Sequence, residues 1–94
     1  MANTPRQNGI INDTILKQVA AMKAAPNNVR FLELKHLCDT VFGQPRVNGS
    51  HHYYKTPWQG DPRICIQNKG GKAKPYQVRD VVRAVERLGG MGDE

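Results

Sequence analysis

The dipeptide Asn48-Gly49 constrains the fold of this chain more than any other feature. It lies between Val47 and the β-prone run 50–56, and Asn-Gly is the strongest short-range signal for a two-residue hairpin because both residues tolerate positive φ. The run after it carries two adjacent histidines, two tyrosines and a lysine. The sequence therefore predicts a β-hairpin with chemically versatile side chains just after the turn.

Segments on both sides of the hairpin have the apolar spacing of amphipathic helices. One helix is predicted over about 11–25 and ends at Pro26, because proline cannot continue a helix. A second begins near Asn28, whose side chain can cap the first turn, and ends at Gly43. A third begins at Pro75, which suits the first turn, and carries a stripe of valines.

Strands are predicted between the second and third helices, at 44–47, 50–56 and 63–67. The proline-rich loop 57–62 joins the last two, and the connection 68–74, rich in glycine and lysine, is expected to be flexible. Two amphipathic helices bury their apolar stripes together by packing on one face of a sheet. The predicted fold class is therefore α+β, with a three-stranded antiparallel sheet, helices on one face and an additional N-terminal helix.

A chain of 94 residues is long enough for one small hydrophobic core. We expect a leader and the additional helix over 1–26, the principal domain over 27–90 and a frayed end over 91–94. The sequence contains neither an apolar run long enough to span a bilayer nor the order of a secretory signal at its start. A cytoplasmic protein without a membrane partner is expected.

The charge of the chain indicates the kind of partner. Fourteen basic and eight acidic side chains give a formal net charge of +6, which favours association with a polyanion or with an acidic protein. Charge alone leaves both classes open.

A zinc site is the only metal centre that the residue types suggest. It would use Cys38 and Cys65 with His36, His51 or His52, but these residues lack the paired spacing of zinc motifs. We therefore expect buried free thiols, no metal and no cofactor.

Alternation along the second strand separates the two histidines. His51, Tyr53 and Lys55 share one face, whereas His52 and Tyr54 share the other. A lysine is costly to bury, so the face of Lys55 is expected to be open and Tyr54 to pack inward.

The turn also predicts the neighbour of His51. If Asn48 and Gly49 are the two turn residues, Arg46 lies opposite His51 on the open face. Its permanent positive charge disfavours the imidazolium, so His51 is expected to be a neutral base. A histidine on an exposed strand is more often a solvated residue than a catalyst, and that interpretation stays open at this point.

Three segments of the chain resemble the HicA family of toxins. They are Gly-Ser-His-His at 49–52, Asn-Asn-Val-Arg-Phe at 27–31 and Gly-Gly-Lys-Ala-Lys-Pro-Tyr-Gln-Val-Arg at 70–79. They occur in the family's order around the predicted hairpin, and the resemblance covers about residues 27–88. The helix at 11–25 lies outside the short core that is typical of the family.

The resemblance implies an α-β-β-β-α domain like a double-stranded RNA-binding domain, which acts as a messenger-RNA endoribonuclease and is neutralised by a HicB-like antitoxin. It implies that His51 is catalytic without a metal and that His52 has at most a supporting role. The chain would be a monomer when free and would form a hetero-oligomer with the antitoxin.

The candidate RNA-binding residues are Arg46, Ser50, Tyr53, Lys55, Lys69, Lys72 and Lys74. The alternatives are a non-catalytic RNA-binding module that uses the same face and a basic domain that binds only protein.

Overall fold

The computed structural model describes residues 11–58 and 63–89. Along these ranges the elements are α1 (Asp13–Ala24), a short 3₁₀ helix (Pro26–Asn28), α2 (Phe31–Phe42), β1 (Arg46–Asn48), β2 (His51–Tyr54), β3 (Ile64–Lys69), β4 (Lys72–Ala73) and α3 (Pro75–Leu88). The strands form one antiparallel sheet in the order β1-β2-β3-β4. The predicted leader at 1–9, the frayed end at 91–94 and the second part of the loop 57–62 lie outside the described residues.

The predicted α+β class and all three predicted helices are confirmed, but the sheet has a fourth strand. The connection at 68–74, predicted to be flexible, folds into a hairpin in which β4 pairs with the end of β3. Its turn residues Gly70 and Gly71 have φ values of 60° and 90°, a conformation that glycine adopts without steric cost. The side chain of Asn68 accepts a hydrogen bond from the Gly71 N–H at 2.7 Å. This local hydrogen bond and the two glycines explain why the prediction of a flexible connection was wrong.

The outer edge of β4 is covered by the segment that leads into α2. The Ala73 N–H donates to the Val29 carbonyl and the Phe31 N–H donates to the Gly71 carbonyl, both at 3.0 Å. Arg30 and Lys72 form the bridge between these two hydrogen bonds. Strand pairing therefore ties the entrance of α2 to the sheet.

This pairing also moves the start of α2 to a later residue than predicted. Asn28 does not cap the helix, because Pro26–Asn28 forms the 3₁₀ helix and Val29 is extended. Arg30 takes the capping position, and its N–H donates to the Glu33 side chain at 3.0 Å.

The hydrophobic core lies between the sheet and the helices. Tyr54 and Ile66 on the inner face of the sheet are fully buried, as are Leu34 on α2 and Val81 on α3. Gln77 is buried with them, and its side chain accepts from the backbone N–H of Gln67 at 2.8 Å. That N–H belongs to a strand that extends beyond the short β4, so the glutamine completes the hydrogen bonding of β3.

The N-terminal helix belongs to the same core. Its residues Ile15, Val19 and Met22 are buried, and α1 packs against α3. An ion pair between Lys23 and Glu86, at 2.8 Å, joins the exposed sides of the two helices. No helix within the described ranges is both long and apolar enough to cross a membrane.

A short polar network joins α2 to the end of β2. The Tyr54 hydroxyl donates to Asp39 at 2.6 Å, and Lys35 donates to the same carboxylate at 2.8 Å. Burial raises the pKa of Asp39, but the hydrogen bonds from Lys35 and Tyr54 outweigh it and hold this pKa below its usual value. Burial and the bond to Asp39 raise the pKa of Tyr54.

We expect Tyr54→Phe to lower the free energy of unfolding by about 1.5–3 kcal/mol at pH 7, the usual contribution of a hydrogen bond to a charged group. Because the pKa of Asp39 is lower in the folded protein, this stabilisation is present above its unfolded-state pKa of about 3.9 and is lost as the pH falls through the folded-state value. Urea unfolding at pH 7 and pH 3 measures the difference. In the Asp39→Asn background the substitution should show no such acid dependence, and a constant difference between wild type and Tyr54→Phe at both pH values would contradict the network.

Candidate nucleic-acid interface

The hairpin turn is formed by Gly49 and Ser50, one residue later than predicted. Asn48 is the last residue of β1 and pairs with His51, and Gly49 supplies the positive φ, at 64°. Arg46 consequently pairs with Tyr53.

The prediction that Arg46 lies opposite His51 is therefore wrong, because the turn is displaced by one residue. The displacement moves the partner of Arg46 by two residues along β2, from His51 to Tyr53, and so keeps Arg46 on the face of His51, since side chains alternate along a strand. The permanent charge on which the neutral-base prediction depended is not opposite the imidazole.

The predicted assignment of the two strand faces is confirmed. Tyr54 is fully buried and Lys55 is exposed. His52 pairs with Ile66, and its ring centre lies 5.1 Å from that of Phe31 on α2. The Nδ1 atom of His52 is buried and has no hydrogen-bond partner among the described residues. His52 thus packs inward, away from the open face.

Three side chains form a row on the open face. The rings of His51 and Tyr53 are stacked, with centres 5.9 Å apart and planes 9° from parallel. The guanidinium carbon of Arg63 lies over the Tyr53 ring, 5.7 Å from its centre. Tyr54 pairs with Ile64, and the next pair in the same register is Lys55 with Arg63. His51 therefore lies before Tyr53 along the strand, and Arg63 lies at the level of the residues after it.

Arg63 was absent from the predicted site, although the sequence contained a signal for it. The alternation that sends Ile64 and Ile66 inward sends Arg63 and Cys65 outward. Applying that alternation to both strands would have placed Arg63 on the face of His51.

Tyr53, one of the candidate RNA-binding residues, has two neighbours within the protein. Tyr53 has the imidazole of His51 on one side and the guanidinium of Arg63 on the other.

Three of the predicted lysines lie at the β3–β4 hairpin and at the start of α3. Lys69 and Lys72 pair across the β3–β4 hairpin, and Lys74 precedes the first residue of α3. Together with Asn27 and Tyr76 they line a depression of about 570 Å³. The structure therefore separates the predicted RNA-binding residues into a group around Tyr53 and a group at the corner of β4 and α3, with the exposed Ser50 at the hairpin tip.

The open face is basic. Strand alternation assigns ten of the described residues to it, and none of them is a carboxylate. These residues are Arg46, Asn48, His51, Tyr53, Lys55, Arg63, Cys65, Gln67, Lys69 and Lys72. Arg46, Lys55 and Arg63 lie toward one end of this face and Lys69 and Lys72 toward the other, with the stacked rings of His51 and Tyr53 between them. This concentration of positive charge attracts a polyanion.

The two thiols differ in location. Cys38 is fully buried on α2, as predicted, and its burial raises the pKa of its thiol. Cys65 is only half-buried and pairs with Tyr53 on the open face. Burial raises the pKa of Cys65, and the positive charges of Lys74 and Arg63 partly oppose it. Over residues 11–58 and 63–89, the side chains of His, Cys, Asp and Glu form no cluster of three or more that could hold a metal ion.

Comparison with models of known protein families, with curated proteins and with solved structures gives no significant match.

Proposed function

We propose that the chain is a toxin of the HicA type, a metal-independent endoribonuclease that cleaves messenger RNA with His51 and is inhibited by a HicB-like antitoxin. The observation that carries the proposal is the position of His51, the first histidine after Gly-Ser, on the basic face of the sheet, to which strand alternation assigns no carboxylate from residues 11–58 and 63–89. In this proposal α2, the first three strands and α3 correspond to the α-β-β-β-α core of a double-stranded RNA-binding domain. The short β4 and α1 are additions to that core.

The chemistry needs one proton acceptor at the hairpin. The imidazole of His51 takes the proton of a ribose 2′-hydroxyl, and the 2′-oxygen attacks the adjacent phosphorus. A bond forms between the 2′-oxygen and phosphorus, and the bond from phosphorus to the 5′-oxygen breaks. The leaving oxygen receives a proton from the imidazolium or from water. The products are a 2′,3′-cyclic phosphate and a 5′-hydroxyl.

The cations of the open face support this reaction electrostatically. Arg46, Arg63 and Lys55 lie on the same face as His51, so they counter the charge of the RNA backbone on which the reaction takes place. The lysines at the corner of β4 and α3 bind more distant phosphates. Since one general base contributes about 10²–10⁴-fold, the enzyme is expected to be slow.

The same surface suits an acidic antitoxin. A net charge of +6 on a chain of 94 residues steers association with an acidic partner as well as with RNA. An antitoxin that covers the open face blocks His51 directly.

A non-catalytic RNA-binding module is the second candidate, and one observation favours it. The same-face neighbours of His51 in the sheet are Asn48, Tyr53 and Gln67, and none of them is an acid that ordinarily titrates near neutral pH. A module would use the same cations without cleaving the strand.

The two candidates are separated by an RNA cleavage assay in EDTA. We expect wild-type protein to cut a messenger RNA and to leave 2′,3′-cyclic phosphate ends, because the nucleophile belongs to the substrate. A matched oligonucleotide with a 2′-deoxyribose at the cut position should bind and stay intact. Salt-dependent binding of RNA without any cleavage would reject the enzyme and support the module, and cleavage that EDTA abolishes would reject the metal-independent mechanism.

A further inference from the structure

We propose that a groove beside His51, lined by Arg46, Asn48, Tyr53 and Arg63, is a phosphate subsite that holds an RNA phosphodiester flanking the one that is cleaved. This inference rests on the proposed function for the nature of the polymer. It gives Arg46 and Arg63 one shared phosphate of the RNA backbone.

The groove is built by three strands. Arg46 comes from β1, Tyr53 lies on β2 directly opposite it, and Arg63 enters from the residue before β3. The open volume between them is about 240 Å³. Clefts that enclose a whole small ligand usually measure about 300–1,000 Å³, so this groove suits one section of a polymer backbone better than a separate small molecule.

The side chains that line the groove recognise phosphate. Two guanidinium groups reach it from opposite sides of the tyrosine, and each has N–H donors in the planar fork that matches two phosphate oxygens. The Asn48 amide adds a further donor. None of the four described residues that line the groove is a carboxylate.

Arg63 is oriented for binding a phosphate. Its guanidinium lies 5.7 Å from the centre of the Tyr53 ring, and an interaction between a cation and an aromatic face restrains the position of the cation. A donor that is already oriented loses less conformational entropy when it binds the anion. Tyr53 thus positions Arg63 for the phosphate.

The location explains why the bound phosphate flanks the reaction. The imidazole of His51 is not among the groups that line the groove, and its ring centre lies 5.9 Å from that of Tyr53. A phosphate between the two arginines is therefore beside the tyrosine, while the cleaved phosphate lies at the imidazole. Such a contact strengthens binding of substrate and transition state equally, so it changes KM and leaves kcat nearly constant.

The test measures binding of a fluorescent RNA oligonucleotide in which every ribose is 2′-deoxy or 2′-O-methyl, so that cleavage is impossible and failure of the catalytic proposal does not affect the result. We expect Arg46→Gln and Arg63→Gln each to weaken binding about tenfold or more at low salt, as the loss of a charge-assisted hydrogen bond does. Each should also reduce the slope of log K against log salt by about 0.7, the value for one phosphate contact on a single strand.

The matched control is Arg79→Gln, which removes the same charge from an exposed position on α3 and is expected to change affinity less than twofold. Arg63→Lys separates charge from fork geometry, and we expect it to retain the salt slope and lose part of the affinity. Replacing single phosphates with neutral methylphosphonates should locate one position whose effect disappears in Arg63→Gln. Equal behaviour of Arg46→Gln, Arg63→Gln and Arg79→Gln, or wild-type protein that shows no salt-dependent binding, would overturn the subsite.

Discussion

His51→Ala is expected to lower the rate of RNA cleavage by about 10²–10⁴-fold, the usual contribution of a positioned general base, while RNA affinity changes less than threefold. In the proposed function several cations supply the binding energy and the imidazole supplies the base, so we expect its removal to affect the chemical step far more than the encounter. Single-turnover cleavage in EDTA, with enzyme in excess over labelled RNA, measures the chemical step separately from binding.

The adjacent His52→Ala is the matched control, because it removes the same ring from the same strand. His52 packs against Phe31 on the inner side of the sheet, so its removal should reduce stability and leave the cleavage rate of the folded molecules within about threefold of wild type. Circular dichroism at the assay temperature checks that both variants are folded. Unchanged cleavage by folded His51→Ala would remove this residue from the active site, and equal losses in both variants would point to the integrity of the hairpin instead of to the imidazole.

The assignment of side chains to the two faces of β2 was predictable because it depends only on alternation. Burying Lys55 is costly and burying Tyr54 is favourable, so the two residues independently indicate the same orientation. A displacement of the turn by one residue does not alter that orientation, since each residue's face is set by its own strand. The prediction that His51 faces outward and His52 inward therefore holds even though the predicted turn was wrong.

The pairing across the hairpin was not predictable from the dipeptide. Asn and Gly both tolerate positive φ, and the sequence does not distinguish a turn at Asn48-Gly49 from one at Gly49-Ser50 in which only the glycine uses that tolerance. Arg46 moved from His51 to Tyr53 for this reason alone. Contacts between strands depend on register, and register is decided by the packing of the whole sheet.

The fourth strand could not be read from its own residues either. Lys72-Ala73 is a two-residue strand, and lysine and alanine have little intrinsic preference for β-structure. Its pairing with β3 is held by the local turn at Gly70-Gly71, and its other edge pairs with the distant segment that contains Val29 and Phe31. Apolar periodicity predicted the longer elements and missed this strand, which is too short to have a period.

Introducing a charge at Val19→Asp is expected to destabilise the whole domain by about 3–5 kcal/mol, the cost of an unpaired charge in a core. Val19 is 3% exposed on the side of α1 that packs against α3. Small domains are stable by only about 5–15 kcal/mol, so the variant should show a much lower urea midpoint, with the loss extending to the β-sheet and not only to the helix.

The neighbouring Ala20→Asp introduces the same charge on the same helix at an exposed position, and it should cost only about 0.7 kcal/mol through helix propensity. Hydrogen exchange of the β2 and β3 amides distinguishes the possible outcomes. If Val19→Asp accelerates exchange in the sheet and Ala20→Asp does not, α1 is part of the cooperative unit that holds His51 in place. If Val19→Asp accelerates exchange only within residues 13–24, α1 is an independent appendage, and its deletion should leave the open face and its RNA binding intact. The ion pair of Lys23 with Glu86 and the burial of Ile15 and Met22 on the same side of α1 favour the first outcome.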